Sequence, residues 1–117
     1  MKHVVIFGPT KNVLDGKYSK LVDLLDAYER PFVIVTSTCS SGWDAMGRRY
    51  ANEHSMVFSL VIKAPIKQFG YERAVQMCND WMLEEADEGI TQEGVDTPVS
   101  LDMVKKLKDA GKMITYL

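Results

Sequence analysis

The sequence contains few cysteines and histidines, no excess of either charge and no long apolar run. Cys39 and Cys78 form no CxxC pair, and neither histidine is near them in the sequence, which argues against a zinc site or a disulfide framework. Lys and Arg total 14 against 16 Asp and Glu, so the chain lacks the positive field that nucleic-acid binding requires. The apolar run at residues 4–7 is too short for a secretion signal or a membrane span. We therefore expect a cytoplasmic protein with no metal or other cofactor and no membrane or nucleic-acid partner.

The composition that is present is that of one globular domain. The 117 residues fall within the usual single-domain range, and 46% are hydrophobic and 26% charged. These values exclude a disordered or collagen-like chain and allow a sizeable core. We expect residues 1–117 to form a single domain.

Strand-like and helix-like segments alternate along the chain. Short apolar runs indicate strands at residues 4–7, 32–35, 56–62, 89–91 and 113–117. Apolar residues recur at helical spacing in residues 18–28, 43–54, 71–86 and 101–107. Asp15 is a candidate cap for the first of these helices. The alternation predicts a Rossmann-like, doubly wound α/β fold, with a mostly parallel sheet of about five strands and helices on both faces.

Parallel strands end at a common edge, where ligands of such sheets usually bind. The loops expected at that edge are residues 8–12, 37–42, 63–70 and 88–100. In the first loop, Gly8 would let a ligand approach the backbone closely, and Thr10 and Lys11 offer a hydroxyl and a cation suited to phosphate. A plain Gly-Pro turn explains the same residues.

The second loop is rich in hydroxyl groups and leads into a helix. Its hydroxyl residues are Ser37, Thr38, Ser40 and Ser41. A helix that begins near Gly42 would present unpaired amides and a partial positive charge, which attract an anion. Capping requires only one hydroxyl, so the surplus favours contact with a ligand. Asp44 suits either the helix dipole or a ribose hydroxyl.

The ordered set of motifs resembles the SLOG (SMF/DprA–LOG-like) Rossmann-like domains, in particular their compact YspA/CpYpsA-related branch. The Ser-Gly-Gly-Ala-x-Gly-Ala-Asp loop and Leu-Gly-x-x-Tyr-Ala helix of that family are similar to residues 37–44 and 46–51. Its Arg-Asn-x-x-Met helix start and closing Ala-Asp are similar to residues 78–82 and 86–87, and its Gly-Thr turn is similar to residues 99–100. The resemblance covers nearly all of the chain. It implies a nucleotide or nucleotide-derived ligand, such as a relative of ADP-ribose or a mononucleotide.

The sequence differs from that family at positions where the family has glycine or arginine. Small or basic residues at these positions would let a phosphate approach closely. Thr38 and Cys39 replace paired glycines, Ser41 replaces the loop arginine, and Cys78 replaces the helix arginine. Two further glycines are replaced by Val75 and Val99, which would narrow the site. Positive charge could instead come from Lys11, Lys67 and Arg73. The family's Pro-Gly-Gly-x-Gly-Thr-x-x-Glu catalytic run has no counterpart, which favours binding without turnover.

We therefore predict a nucleotide-like ligand at the carboxyl edge, with Asp44 and Asn79 contacting ribose or base. The predicted ligand-binding residues are Gly8, Thr10, Lys11, Ser37, Thr38, Ser40, Ser41, Gly42, Asp44, Arg73, Asn79 and Ser100. One alternative is a nucleoside-monophosphate N-glycosidase or deoxyribosyltransferase-like enzyme, with Asp44 or an acid from residues 88–96 as its catalytic carboxylate. A second is a degenerate fold kept for protein interaction or oligomerisation.

Other residues bear on self-association and surface character. Candidates for an apolar surface in a homo-oligomer are Met77, Trp81, Met82 and Met103, although core packing also explains most methionines. The acidic residues between positions 80 and 88 are typical of a solvated helix face. We expect His54 to cap or pack a helix end, and at least one of Arg48 and Arg49 to be solvated.

Overall fold

The computed structural model describes residues 1–14 and 16–117, so the candidate cap Asp15 lies outside the described residues. The strands are β1 (Lys2–Ile6), β2 (Phe32–Ser37), β3 (Val57–Ile62), β4 (Glu88–Thr91) and β5 (Ile114–Tyr116). The helices are α1 (Lys17–Asp26), α2 (Gly42–Glu53), α3 (Ile66–Phe69), α4 (Tyr71–Glu85) and α5 (Pro98–Asp109). None of the helices in this part of the chain has the length and apolar character needed to cross a bilayer.

The five strands form one parallel sheet in the order β3-β2-β1-β4-β5. Val4 of β1 lies in register with Ile34 of β2 on one side and Glu88 of β4 on the other. The Rossmann-like α/β fold predicted from the sequence is confirmed. The strand order reverses at β1, so the loops after β1 and β4 leave the sheet in different directions and open a crevice between them.

The core lies in two layers, one on each face of the sheet. On one face, Val4 and Ile6 pack against α1 and α2, which contribute Leu21, Leu25, Trp43 and Tyr50. On the other face, Val5 and Phe7 pack against α4 and α5, which contribute Cys78, Met82, Met103 and Leu107. Helices therefore cover both faces, as predicted. Met82 and Met103 belong to this core, whereas Met77 is half-buried and Trp81 is exposed.

Several boundaries differ from the sequence prediction: β1, for example, is Lys2–Ile6 instead of residues 4–7, and α5 begins at Pro98 instead of residue 101. The segment of residues 63–70, expected as a loop, contains the one-turn helix α3. Strand β3 begins at Val57 instead of residue 56, because Met56 has a φ of 64° and so cannot continue an extended strand.

Glu88 also differs from expectation, since it is buried instead of lying on a solvated face. Its carboxylate accepts a hydrogen bond from the Tyr28 hydroxyl and lies 3.5 Å from Lys2 Nζ. These partners offset the cost of burying a charge. His54 packs as expected: its ring stacks on Tyr50 with centroids 3.8 Å apart.

Candidate functional site

A cavity of about 470 Å³ opens at the carboxyl edge of the sheet, on the side covered by α4 and α5. The loops after β1, β2, β3 and β4 all contribute to it, which confirms their predicted convergence. Most of its wall is apolar and comprises Phe7, Ala64, Ile66, Tyr71, Val75, Met82, Val99 and Met103. The volume falls within the range of about 300–1,000 Å³ that is common for small-molecule sites.

The cavity brings together part of the predicted ligand-binding set. The predicted residues that line it are Gly8, Thr10, Ser37, Thr38, Asp44, Asn79 and Ser100. Those that do not are Lys11, Ser40, Ser41, Gly42 and Arg73. The Arg73 guanidinium lies over the Phe69 ring, 5.0 Å from its centroid. No lysine or arginine among the described residues lines the cavity, so the basic part of the predicted phosphate site does not reach it.

The N-terminus of α2, the expected seat for phosphate, is closed by the chain's own backbone. The Trp43 amide donates to the Pro9 carbonyl at 3.4 Å, and Ser41 Oγ donates to the Thr10 carbonyl at 3.0 Å. Gly42 has a φ of +71°, and a Cβ built there would lie 2.6 Å from Thr10 Cα. Only glycine permits this contact, which places carbonyl oxygens where an anion would otherwise bind.

Trp43 fills the half of the crevice that faces α1 and α2. Its indole is fully buried, and a Cβ built at Gly8 would lie 2.7 Å from Trp43 Cδ1. Trp43 Nε1 donates to Gln92 Oε1 at 3.1 Å, which links α2 to the loop after β4. From the sequence we expected a ligand to lie close to the Gly8 backbone, but the Trp43 indole occupies that position. Sequence reasoning missed this role, although the signal was present: Trp43 stands where the SLOG motif, to which we found a resemblance in the sequence, has alanine.

Asp44 is buried and already engaged by the loop after β2. Its Oδ2 accepts hydrogen bonds from the Ser37 amide at 2.9 Å and the Ser37 hydroxyl at 2.6 Å. Burial raises the pKa of the Asp44 carboxyl, while the Ser37 hydrogen bonds and the Arg48 charge act in the opposite direction. The carboxylate thus shapes the cavity wall by fixing Ser37, and Asp44 itself lines the cavity, so its contact with a ribose hydroxyl stays a prediction.

Arg48 is a positioning residue that sequence reasoning did not assign. Its guanidinium donates to the carbonyls of Ser37 and Cys39, which holds the loop after β2 against α2. Arg49, the next residue, is exposed and pairs with Glu53 at 2.7 Å. The expectation that at least one of the two arginines is solvated is confirmed.

The N-terminus of α5 borders the cavity, as do the first residues of α3 and α4. Residues 97–100 all line the cavity, and Thr97, at the N-cap position, makes no side-chain capping hydrogen bond. Asn79 Nδ2 holds this helix against α4 by donating to Val99 O and Asp102 Oδ2, both at 3.0 Å. Lys106 Nζ lies 2.8 Å from Asp102 and 2.9 Å from Asp80, so its charge is taken up by carboxylates. Pro98 has no N–H, and the Leu101 amide donates to the Thr97 carbonyl at 2.9 Å, so the amides of Val99 and Ser100 are the remaining donors of the first turn of α5.

No family model, curated protein or solved structure matches this chain. Its cavity is therefore interpreted from the chemistry of its own residues. Within the described ranges, no three His, Cys, Asp or Glu side chains gather as a metal site would need. Burial raises the pKa of the Cys78 thiol to about 11, so this cavity residue is protonated at neutral pH and is a poor nucleophile.

Proposed function

We propose that the protein binds a nucleoside or nucleoside monophosphate in the cavity at the carboxyl edge of its sheet. One observation carries the proposal: the cavity combines an apolar wall with the uncapped first turn of α5. Apolar surface suits a base, and helix amides suit a hydroxyl or a single phosphate. The two parts lie in one cavity of about 470 Å³, so a single small ligand can contact both.

Tyr71 supports the binding of an aromatic base. It is the first residue of α4, lines the cavity and is 62% exposed, so one part of its ring is free for contact. Val75, one helical turn later, lines the same wall. Aromatic side chains stack on bases with a gain of about 1–3 kcal/mol, whichever base is bound.

The charges around the cavity favour a mononucleotide over a ligand such as ADP-ribose. The lining includes the carboxyl group of Asp44 and no lysine or arginine among the described residues. An adjoining depression of about 420 Å³ between α4 and α5 adds Glu72 and Asp102. A second phosphate would add negative charge near these carboxyls without a paired cation.

The same residues support binding without turnover. Hydrolysis or transfer at an N-glycosidic bond would need a carboxyl group free to act as acid, base or nucleophile. Asp44 Oδ2 accepts two hydrogen bonds from Ser37, and none of the acids of residues 88–96 lines the cavity. We therefore do not favour the glycosidase alternative.

Calorimetric titration with adenosine, the nucleoside monophosphates and ADP-ribose tests the proposal. We expect binding of a nucleoside or monophosphate, with ADP-ribose weaker than the corresponding monophosphate. Tyr71→Ala should weaken binding about fivefold or more, because a stacking contact of at least about 1 kcal/mol is lost. Tyr116→Ala, which removes an exposed tyrosine from β5, should leave affinity unchanged.

A second pair of variants tests the role of the α5 N-terminus. Val99→Glu places a carboxylate on the cavity wall and should weaken a monophosphate tenfold or more, with a smaller effect on the nucleoside. Leu101→Glu introduces the same charge two residues later on α5, outside the cavity lining, and should bind normally. The proposal fails if no nucleoside or monophosphate binds, or if the Leu101 and Val99 variants lose affinity equally.

A further inference from the structure

Strand β3 forms one edge of the sheet and has none of the usual protection of an edge. Its sequence, VFSLVI, contains no charge, proline or glycine, and all six residues pair in register with β2. Exposed edges are normally blunted by lysine, proline or bulges, because their unpaired backbone groups attract another strand. The Met56 carbonyl accepts from the Phe32 amide, so alternation along the strand directs the backbone groups of Val57, Ser59 and Val61 away from β2.

Apolar side chains surround these free backbone groups. Phe58 is 51% exposed and Val61 is 42% exposed. Phe58 pairs in register with Val33, which packs in the α4–α5 core layer, so Phe58 lies on the α4 side of the sheet. Val61 comes three residues after Phe58, and side chains alternate along a strand, so Val61 lies on the opposite side of the sheet. Both faces of the strand therefore present apolar surface beside the free edge.

Helix α4 presents a partly apolar stripe of side chains next to β3. The stripe consists of Arg73, Met77, Trp81 and Glu84, whose spacing places them along one side of the helix. The opposite flank of α4 contacts α5 through Asn79 and the Gln76 carbonyl. The stripe therefore faces the β3 side, and it has a cation at one end, a carboxylate at the other and two apolar residues between them.

We propose that two copies of this chain associate through β3 and this stripe of α4. Antiparallel pairing of the two β3 strands about a two-fold axis would continue the sheet from one copy into the next and place the α4 helices side by side in opposite directions. Arg73 of one copy then lies opposite Glu84 of the second copy, and Met77 lies opposite its Trp81. The surface is complementary to itself in charge and in apolar character, as a two-fold interface requires.

Light scattering and sedimentation over a wide dilution series test this proposal on the full chain. We expect a species of twice the 13.2 kDa chain mass. Phe58→Lys should convert it to a monomer with an unchanged circular dichroism spectrum, because it places a charge at the pairing edge. Leu101→Lys, which also replaces an exposed apolar residue, should leave the dimer intact. A monomeric wild type, or a dimer that survives Phe58→Lys, would overturn the proposal.

Charge exchange tests the antiparallel arrangement of the helices. Arg73→Glu and Glu84→Arg should each weaken the dimer by bringing like charges together, and the double variant should restore it. Failure of the double variant to recover affinity would overturn this arrangement. These dimer measurements are made without nucleotide, so their outcome does not depend on whether the proposed ligand binds.

Discussion

Replacing Trp43 by alanine tests the central feature of the candidate site, the indole that occupies half of the crevice. Trp43 is fully buried, and a large aromatic side chain removes about 200 Å² from water. At about 25 cal/mol per Å², that area corresponds to about 5 kcal/mol. Truncation of a core tryptophan to alanine costs about 3–5 kcal/mol, a sum of the lost burial and of the cavity that remains where the surrounding residues do not close in. The hydrogen bond from Nε1 to Gln92 is lost as well.

Urea unfolding followed by circular dichroism measures this effect. A domain of this size is stable by about 5–15 kcal/mol, so Trp43→Ala should remove at least about a fifth of the free energy of unfolding, and most of it in a domain at the low end of that range. The midpoint should fall while the slope of free energy against urea stays unchanged. In thermal unfolding, Tm should fall by roughly 10–25 °C.

The chain has only one other tryptophan, and it provides a matched control. Trp81 is 37% exposed and Trp43 fully buried, so Trp81→Ala should cost clearly less than Trp43→Ala. Both variants are measured at low protein concentration, where association through Trp81 contributes little. If the two variants are equally stable, Trp43 does not fill the crevice as described. An indole that only covers surface would lose no more unfolding free energy on truncation at position 43 than at position 81.

Two further predictions concern the loops around the cavity. Gly42→Ala should destabilise the fold by more than Gly94→Ala, as measured by urea unfolding, because both glycines have a φ near +70° but only a Cβ at Gly42 would meet backbone atoms. Equal costs would mean that the loop after β1 can move away from α2. The stability of the wild type relative to Asp44→Asn should increase as pH is lowered from neutral to below 3.8, the ordinary pKa of an aspartate. Burial raises the pKa of Asp44 in the folded state, so the folded protein gains a proton before the unfolded chain does, and this contribution is lost again as pH rises. A relative stability that is flat or increases with pH would show that the Ser37 and Arg48 interactions outweigh burial.

The fold could be predicted from the sequence because β1, β2 and β3 each contain an apolar run and each long helix repeats its apolar residues at 3.6-residue spacing. Val5 and Val35, for example, lie in such runs and are fully buried, and the alternation of strands with helices then favours one parallel sheet covered on both faces. The convergence of the four loops then follows from parallel topology. Predictions that depended on period and topology were therefore confirmed.

The inner arrangement of the site could not be predicted in the same way, because it depends on which of several acceptable partners lies nearest. The hydroxyl of Ser41 and the amides that follow Gly42 can donate to a phosphate or to a carbonyl oxygen equally well. In the structure the acceptors are the carbonyls of Thr10 and Pro9. Arg48 and Arg49 are adjacent and chemically identical, yet one holds a loop and the other lies in solvent. Such choices are made by distances of a few ångströms between segments that are far apart in sequence.

The position of α4 connects the two proposals. Its first turn carries Tyr71 at the cavity, and its outer flank carries Met77 and Trp81 beside β3. The arrangement of α4 relative to the sheet therefore affects both the ligand cavity and the surface proposed for dimerisation. If a ligand and a second copy of the chain each bind one arrangement of α4 better than others, linkage requires that each strengthen the other by the same factor. Dimer affinity measured with and without the bound monophosphate would then give that factor, and a ratio of one would show that α4 does not couple the two sites.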